Sequence, residues 1–424
     1  MNMVTNLFER QGEDIMESGK KLDLLALSSV PLVMTLGNSM LIPVLPLIAK
    51  KLDISSFQVS LIITVYSIVA IILIPIAGYL SDRFGRKVVM VPCLIIAGIG
   101  GAVSGWASWK MDDPFITILL GRILQGIGSA GAAPVVMPLI GDMFKSDEEI
   151  SAGLGLTETA NTAGKVLSPI IGATLAAFLW YLPFWFIPFF SGISVLLVFF
   201  LVKIPKKKSQ KKQSFKEFTH CVKDIFKKNG KWLYSIFAVG CIIMFVLFGI
   251  LFYLSDILEK QYKIDGVQKG LVLAIPLLAL SISSFVSGKK IGQNQQLMKT
   301  VMIVGMGLVG VSFIALRIQH SLVFLISFLV FTGIGIGITL PSLDAMITEG
   351  IQKEERGTIT SIYSSMRFIG VAAGPPAYSY FMSASDHLIY YISAGSSFIA
   401  VMVVLLFIKP DKGTEKDPHM PKLA

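Results

Sequence analysis

Long apolar blocks alternate with short polar segments from one end of the chain to the other. Runs of about 18 or more apolar residues read as membrane-crossing helices. The pattern predicts twelve, over residues 24–49, 58–80, 88–109, 115–140, 152–179, 182–203, 232–256, 269–288, 298–316, 321–344, 358–382 and 388–408. Twelve crossings place both ends on one side. With the N-terminus inside, the inner segments carry 26 Lys and Arg residues and the outer ones 7. The other four, Arg122, Lys165, Lys203 and Arg367, fall in spans or at their edges. Positive charge collects on the cytoplasmic side of membrane proteins, so both termini are expected there, in the cytoplasmic membrane. The first block is too long for a signal-peptide core and no small-residue cleavage site follows it, so no cleavable leader is expected.

The longest connection, 204–231, separates a six-span bundle over 24–203 from a second over 232–408, with cytoplasmic tails over 1–23 and 409–424. It opens on Lys206, Lys207, Lys208, Lys211 and Lys212. Phe215, Phe218, Val222, Ile225 and Phe226 then recur at three- and four-residue spacing. Such a stripe backed by lysines suits a helix lying on the inner membrane surface; a solvated basic linker with a helical tail is the other reading. The halves resemble each other. Pro138, Gly164 and Pro169 in the first are echoed by Pro341, Gly370 and Pro375 in the second, with Asp142 and Asp344 shortly after the earlier proline of each set. Matched positions of this kind are what parallel repeats leave behind.

Composition agrees. The chain is 54% hydrophobic and 15% charged, with a mean hydropathy of +0.72, whereas soluble domains carry about 25% charged residues. The fold class is therefore an all-α polytopic membrane protein. The net charge of +10 sits in the connecting segments, which argues for membrane topology and against nucleic acid as a partner. Cys93, Cys221 and Cys241 are scattered, and His220, His320, His387 and His419 stand at edges or in loops, so no metal site is expected. Gly333-Ile334-Gly335-Ile336-Gly337 lacks the Lys-Ser/Thr ending of a phosphate-binding loop, which argues against ATP as the energy source. Together with Gly126, Gly128 and Gly131, these glycines suit close helix packing.

Between spans two and three stands Gly78-Tyr79-Leu80-Ser81-Asp82-Arg83-Phe84-Gly85-Arg86-Lys87. Gly85 supplies a backbone angle other residues resist, Asp82 suits a helix end, and Arg83, Arg86 and Lys87 anchor the turn at the inner surface. The segment resembles the G-x-x-x-D-R-x-G-R-K loop of the major facilitator superfamily. Gly121-Arg122-Ile123-Leu124-Gln125-Gly126 is similar to that superfamily's R-x-x-Q-G element. Ala163-Gly164 through Ser168-Pro169 and Gly172 is similar to its antiporter motif, with Ser168 and Ala173 where glycines are usual. Glu355-Arg356-Gly357 is another shared element, and Gly288-Lys289-Lys290-Ile291-Gly292 is the counterpart of the first loop without its Asp. The resemblance covers almost the whole chain and implies the twelve-span drug:proton antiporter branch. That means two six-helix bundles working by alternating access, with the 78–87 loop as one half of a cytoplasmic gate.

Charged side chains near mid-membrane cost upward of about 3 kcal/mol and normally face a cavity or a partner. Arg122, Glu158, Lys165 and Arg367 qualify. Glu158, Asn161, Thr162 and Lys165 share one face of span five. Arg122, Gln125 and Ser129 do so on span four, and Tyr363, Ser364 and Arg367 on span eleven. With Thr35, Asn38 and Ser39 of span one, these stripes are expected to converge on one cavity, whose substrate-facing set is Asn38, Gln125, Asn161, Lys165, Tyr363 and Arg367. Glu158 is read as the one acidic residue well inside a span. Burial and the nearby cations Lys165 and Arg122 act oppositely on its affinity for a proton, so moving those partners would load and unload it. A static ion pair between spans four and five is the alternative. Arg122 is similarly divided between a part in proton transfer, which the resemblance implies, and helix locking. Gly164 and Pro169 of span five and Gly374 and Pro375 of span eleven are expected to bend their helices. Three buried cations against one carboxylate hint at an anionic substrate.

The expectation is a proton-coupled exporter of a small amphipathic drug or metabolite, anionic or siderophore-like in its specific form, acting as a monomer among membrane lipids. It would need no cofactor beyond the proton gradient. An uptake permease of the same fold and a lipid or glycolipid flippase are the alternatives; a membrane enzyme lacks any catalytic cluster.

Overall fold

A computed structural model describes residues 18–144, 147–203, 215–292, 294–318, 321–350 and 356–408. Twelve long helices account for the described chain. Span one is Ser18–Ser39, followed by a 3-10 turn, Ile42–Val44, and a short helix, Leu45–Leu52. Spans two to six are Ser56–Phe84, Arg86–Lys110, Phe115–Met143, Asp147–Phe178 and Leu182–Leu201. Spans seven to twelve are Phe215–Lys260, Gly266–Ile291, Gln295–Ala315, Leu322–Gly350, Arg356–Ala384 and Asp386–Phe407. Successive helices run in opposite directions. We call the face bearing Gly85 proximal and the face bearing Asp53 distal.

Ten of the helices among the described residues are long and apolar enough to cross a membrane by themselves. Spans five and eleven, which carry the polar stripes, are the two outside that set. Their polar groups turn toward protein, while Ile72, Ile99, Phe200, Ile282 and Leu406 lie exposed on the outside of the bundle, where lipid replaces water as solvent.

Local signals set the ends. Ser55 and Gln58 cap span two reciprocally, satisfying amide groups that a helix start leaves orphaned. Gly85 adopts φ 107° between spans two and three, a region that a Cβ disfavours. The stripe from Phe215 to Phe226 belongs to a helix, but that helix runs on unbroken into span seven instead of lying apart from it. One glycine, Gly230, costs about 1 kcal/mol in a helix. Phe226 bridges that point by packing on Tyr234 and Phe237, ring centroids 5.2 and 5.9 Å apart. The lysines 206–212 lie outside the described residues.

The two halves repeat one packing scheme. A Cβ at Gly100 of span three would come within 2.5 Å of the Gly121 carbonyl oxygen of span four, and one at Gly121 within 2.6 Å of that of Gly100. In the second half, a Cβ at Gly305 of span nine would come within 2.6 Å of the Gly335 carbonyl oxygen of span ten. Backbones this close need small residues. Gly164 sets span five on Leu32 of span one, and Gly374 sets span eleven on Phe245 of span seven. Pro169, Pro375 and Pro376 stand inside helices that continue through them.

The halves meet along two seams. Thr64 of span two donates to the Ala372 carbonyl of span eleven at 2.9 Å. Span eight meets span five where Gly270 rests on the backbone at Pro169 and Ile170. On the distal side, Ser255 of span seven donates to the Ile42 carbonyl at 3.0 Å.

Candidate transport cavity

A cavity of about 290 Å³ lies between the halves. Its distal limit is formed by Ile42, Leu251 and Leu273, and its lining extends proximally to Met137, Pro138, Ile347 and Gly357. The closed distal seam and the proximal reach of the lining describe a cavity that approaches the proximal face.

Six helices bring polar groups to this wall, span two through Tyr66. Thr35, Asn38 and Ser39 come from span one, Ser129 from span four, and Glu158, Asn161 and Lys165 from span five. Asp344 comes from span ten, and Tyr363, Ser364 and Arg367 from span eleven. Three- and four-residue spacing aligns each set along its helix. Asn161 Nδ2 donates to both Glu158 oxygens at 3.3 Å. Thr35 Oγ1 donates to Asn161 Oδ1 at 2.6 Å, which orients the amide so that its nitrogen faces the carboxylate. Arg367 Nη1 lies 3.4 Å from Asp344 Oδ1. Lys165 interacts electrostatically with Glu158, Asp344 and Arg367.

Two features depart from the reading of the sequence. Span ten extends to Gly350, so Asp344 lies inside it and Glu158 is not the one acidic residue within a span. Arg122 and Gln125 are not on the cavity wall. Arg122 is 0% exposed, donating through Nε to the Ile62 carbonyl at 2.7 Å and through Nη2 to Asn38 Oδ1 at 2.6 Å. Nη1 donates to Gln125 Oε1, and the guanidinium lies 4.5 Å from the Tyr66 ring centroid. Tyr66 is hydrogen-bonded to Ser129 at 2.6 Å. Arg122 thus stands behind the wall, linked to the cavity through Asn38 and through Tyr66 with Ser129. The charges facing the cavity become two cations, Lys165 and Arg367, against two carboxylates, Glu158 and Asp344. The positive surplus disappears.

The 78–87 loop is an ion-pair junction. Arg86 pairs with Asp82 at 2.9 Å and with Asp142 of span four at 2.6 Å. Lys87 donates to the carbonyls of Phe199 in span six and of Val202 just past its end, and Arg83 donates to the Tyr79 hydroxyl. A Cβ at Gly78 would come within 2.9 Å of Ser361 Oγ in span eleven, so the junction touches the other half. Asp82 is 55% exposed and Asp142 23%. An exposed pair contributes up to about 1 kcal/mol and a charged hydrogen bond away from water about 1.5–3. Asp142→Asn is therefore expected to slow transport roughly tenfold and Asp82→Asn less, both without changing substrate preference. Initial rates on two substrates check this; a changed preference, or a larger effect at Asp82, counts against a gate role.

Asp142 and Asp344 were visible in the sequence as marks of the repeat; what they pair with was not. Lys269 is 2% exposed and bonded to Glu259 at 2.7 Å on the distal side. It was hidden because it stands at the edge of an apolar block, where a lysine reads as an interfacial anchor.

The sequence pattern of the Major Facilitator Superfamily matches residues 27–298 and 295–422. A bacillibactin exporter of Bacillus subtilis is 61% identical over 395 residues, 93% of this chain and 98% of that protein. A class E tetracycline resistance protein of Escherichia coli is 23% identical over 89% of this chain and 93% of its own length. Among solved structures, a D-xylose–proton symporter covers 93% of this chain and 99% of its own with a TM-score of 0.75 at 14% identity. A human organic anion transporter covers 92% and 100% with a TM-score of 0.73 at 18% identity. These two likenesses are of fold.

Proposed function

This chain belongs to the Major Facilitator Superfamily and is a multi-pass membrane transporter, not an enzyme, and from that premise we propose that it exports bacillibactin or a similar siderophore in exchange for protons. The observation that carries the reading is the 61% identity to a bacillibactin exporter along nearly the full length of both chains. The excess of Lys and Arg in the proximal segments supports a cytoplasmic proximal face, and on that orientation the cavity's proximal reach offers it to a solute inside the cell.

The sign of the coupling constrains the substrate. Antiport needs proton and substrate to exclude each other, and linkage is reciprocal. A solute held solely by Lys165 and Arg367 as an anion would bind better once Glu158 and Asp344 were protonated and ceased to occupy those cations. It would then travel with the proton. A solute that donates hydrogen bonds to Glu158 and Asp344 needs them ionised, so a proton displaces it. The balanced charge of the cavity therefore favours a hydroxyl- or amide-rich molecule that presents donors to the carboxylates and acceptors to Lys165 and Arg367.

Inverted membrane vesicles provide the test. An inside-acid gradient is expected to drive bacillibactin uptake that a protonophore abolishes. Glu158→Gln is expected to lower gradient-driven accumulation at least tenfold while leaving downhill exchange measurable, because glutamine keeps the hydrogen-bonding shape and loses the titration. Accumulation indifferent to the gradient would sink proton coupling. Normal accumulation by the Gln variant would remove Glu158 from it.

A further inference from the structure

Away from the cavity, spans seven and eleven leave a groove of about 580 Å³ on the outside of the bundle at their proximal ends. Its floor and sides include Phe226, Phe237, Ala238, Met366 and Ile369, and Lys223 stands at its proximal mouth. Among the described residues no carboxylate lines it. Lys223, Lys227 and Lys231 are all exposed and follow at four-residue spacing, which puts them on one stripe of the helix. Tyr234, 62% exposed, continues that stripe where an aromatic with a polar tip suits the membrane interface.

We propose that this groove binds an anionic phospholipid of the proximal leaflet, with its phosphate on the lysine ladder and an acyl chain along the apolar channel. The dimensions agree. At about 1.5 Å per residue, Lys223 to Lys231 spans roughly 12 Å of helix and Lys231 to Cys241 roughly 15 Å. The second figure matches half of a hydrocarbon core about 30 Å thick. Basic ladders flanking a transmembrane helix attract acidic headgroups through the same charge a zwitterionic headgroup balances internally. The site is distinct from the transport cavity. Phe237 lines the groove and Tyr363 lines the cavity, and their rings stack with centroids 6.1 Å apart at 29°. Two stacked rings separate lipid from substrate, so the bound chain supports the cavity wall from behind.

The full chain in nanodiscs of mixed phosphatidylglycerol and phosphatidylcholine, followed by native mass spectrometry of retained lipid, tests this. Wild type is expected to retain phosphatidylglycerol in preference. Combined Lys223→Gln, Lys227→Gln and Lys231→Gln, all on exposed positions that leave the fold intact, are expected to reduce that preference at least roughly tenfold. Ala238→Trp fills the channel and is expected to abolish retention of both lipids. Equal retention by wild type, an unchanged preference in the triple variant, or lipid still held by Ala238→Trp would each overturn the proposal. Displacement of the lipid by bacillibactin would also overturn it, by making the groove a substrate entrance.

Discussion

Gly270→Leu is expected to trap the transporter with its distal side open and to reduce turnover by an order of magnitude or more. Gly270 is where span eight of one half lies on span five of the other. A Cβ there would come within 2.5 Å of the Pro169 carbonyl oxygen and 2.8 Å of Ala173 Cβ. Backbone cannot yield as a side-chain tip can, so a leucine must push the spans apart. Overpacking of this kind costs about 1–3 kcal/mol, which changes a two-state ratio by roughly 5- to 150-fold. The cost falls only on the state in which the distal seam is closed, the state held also by the Ser255–Ile42 hydrogen bond. Folding of each half does not require that contact, so yield and thermal stability should stay near wild type. A cysteine introduced at Leu251, on the distal part of the cavity lining, should react with a membrane-impermeant maleimide from the distal side at least tenfold faster in the leucine background. Unchanged labelling together with normal transport would show that this seam does not gate the distal side.

The second large effect is expected at Arg122. Its guanidinium is fully buried and spends its donors on Asn38, Gln125 and the Ile62 carbonyl while lying over Tyr66. Single hydrogen bonds between membrane helices average about 0.6 kcal/mol, but here several converge on one charged group. Arg122→Ala strands the side-chain oxygens of Asn38 and Gln125, at about 1–3 kcal/mol for each unsatisfied group. It also opens a void beside spans one and two. A lower melting temperature and loss of transport are expected together. Arg122→Lys separates the two roles. Lysine keeps the charge but has no planar fork to reach three partners at once. The lysine variant should recover most of the stability and little of the transport if the fork orients Asn38 and Tyr66 at the cavity wall. If it restores both, charge alone suffices; if Arg122→Ala is as stable and active as wild type, the network carries neither role.

These two residues were legible to different degrees. Arg122 stood out because an arginine in an apolar block is costly wherever it points, but its direction was not readable. Gln125 shares a helical face with it and Ser129, yet Ser129 reaches the cavity while Gln125 is turned behind the wall. A helical stripe is wider than the wall it contributes to, and the neighbouring helices decide which part remains exposed. Gly270 carried no mark in the sequence, since a glycine near a helix start looks the same whether it faces lipid or another backbone. Asp344 was placed at the last residue of its block, where an acid is unremarkable. The six further residues of helix to Gly350 move it into the bundle and turn a cavity expected to be cationic into a balanced one.

By itself the sequence determined the class, the twelve crossings, the repeat and the family. The class and the crossings follow from the cost of exposing polar backbone and charge to hydrocarbon, residue by residue along the chain; the repeat rests on matched Pro, Gly and Asp positions, and the family on the resemblance of the 78–87, 121–126 and 163–172 segments. Tertiary structure alone decided which carboxylates and cations share a cavity, which of the buried charges stand behind it, and which seam is closed. Those depend on distances between groups up to hundreds of positions apart, as with Thr64 and Ala372 or Ser255 and Ile42. Local spacing can put a residue on a face of its own helix, but only the packing of the helices says what that face meets.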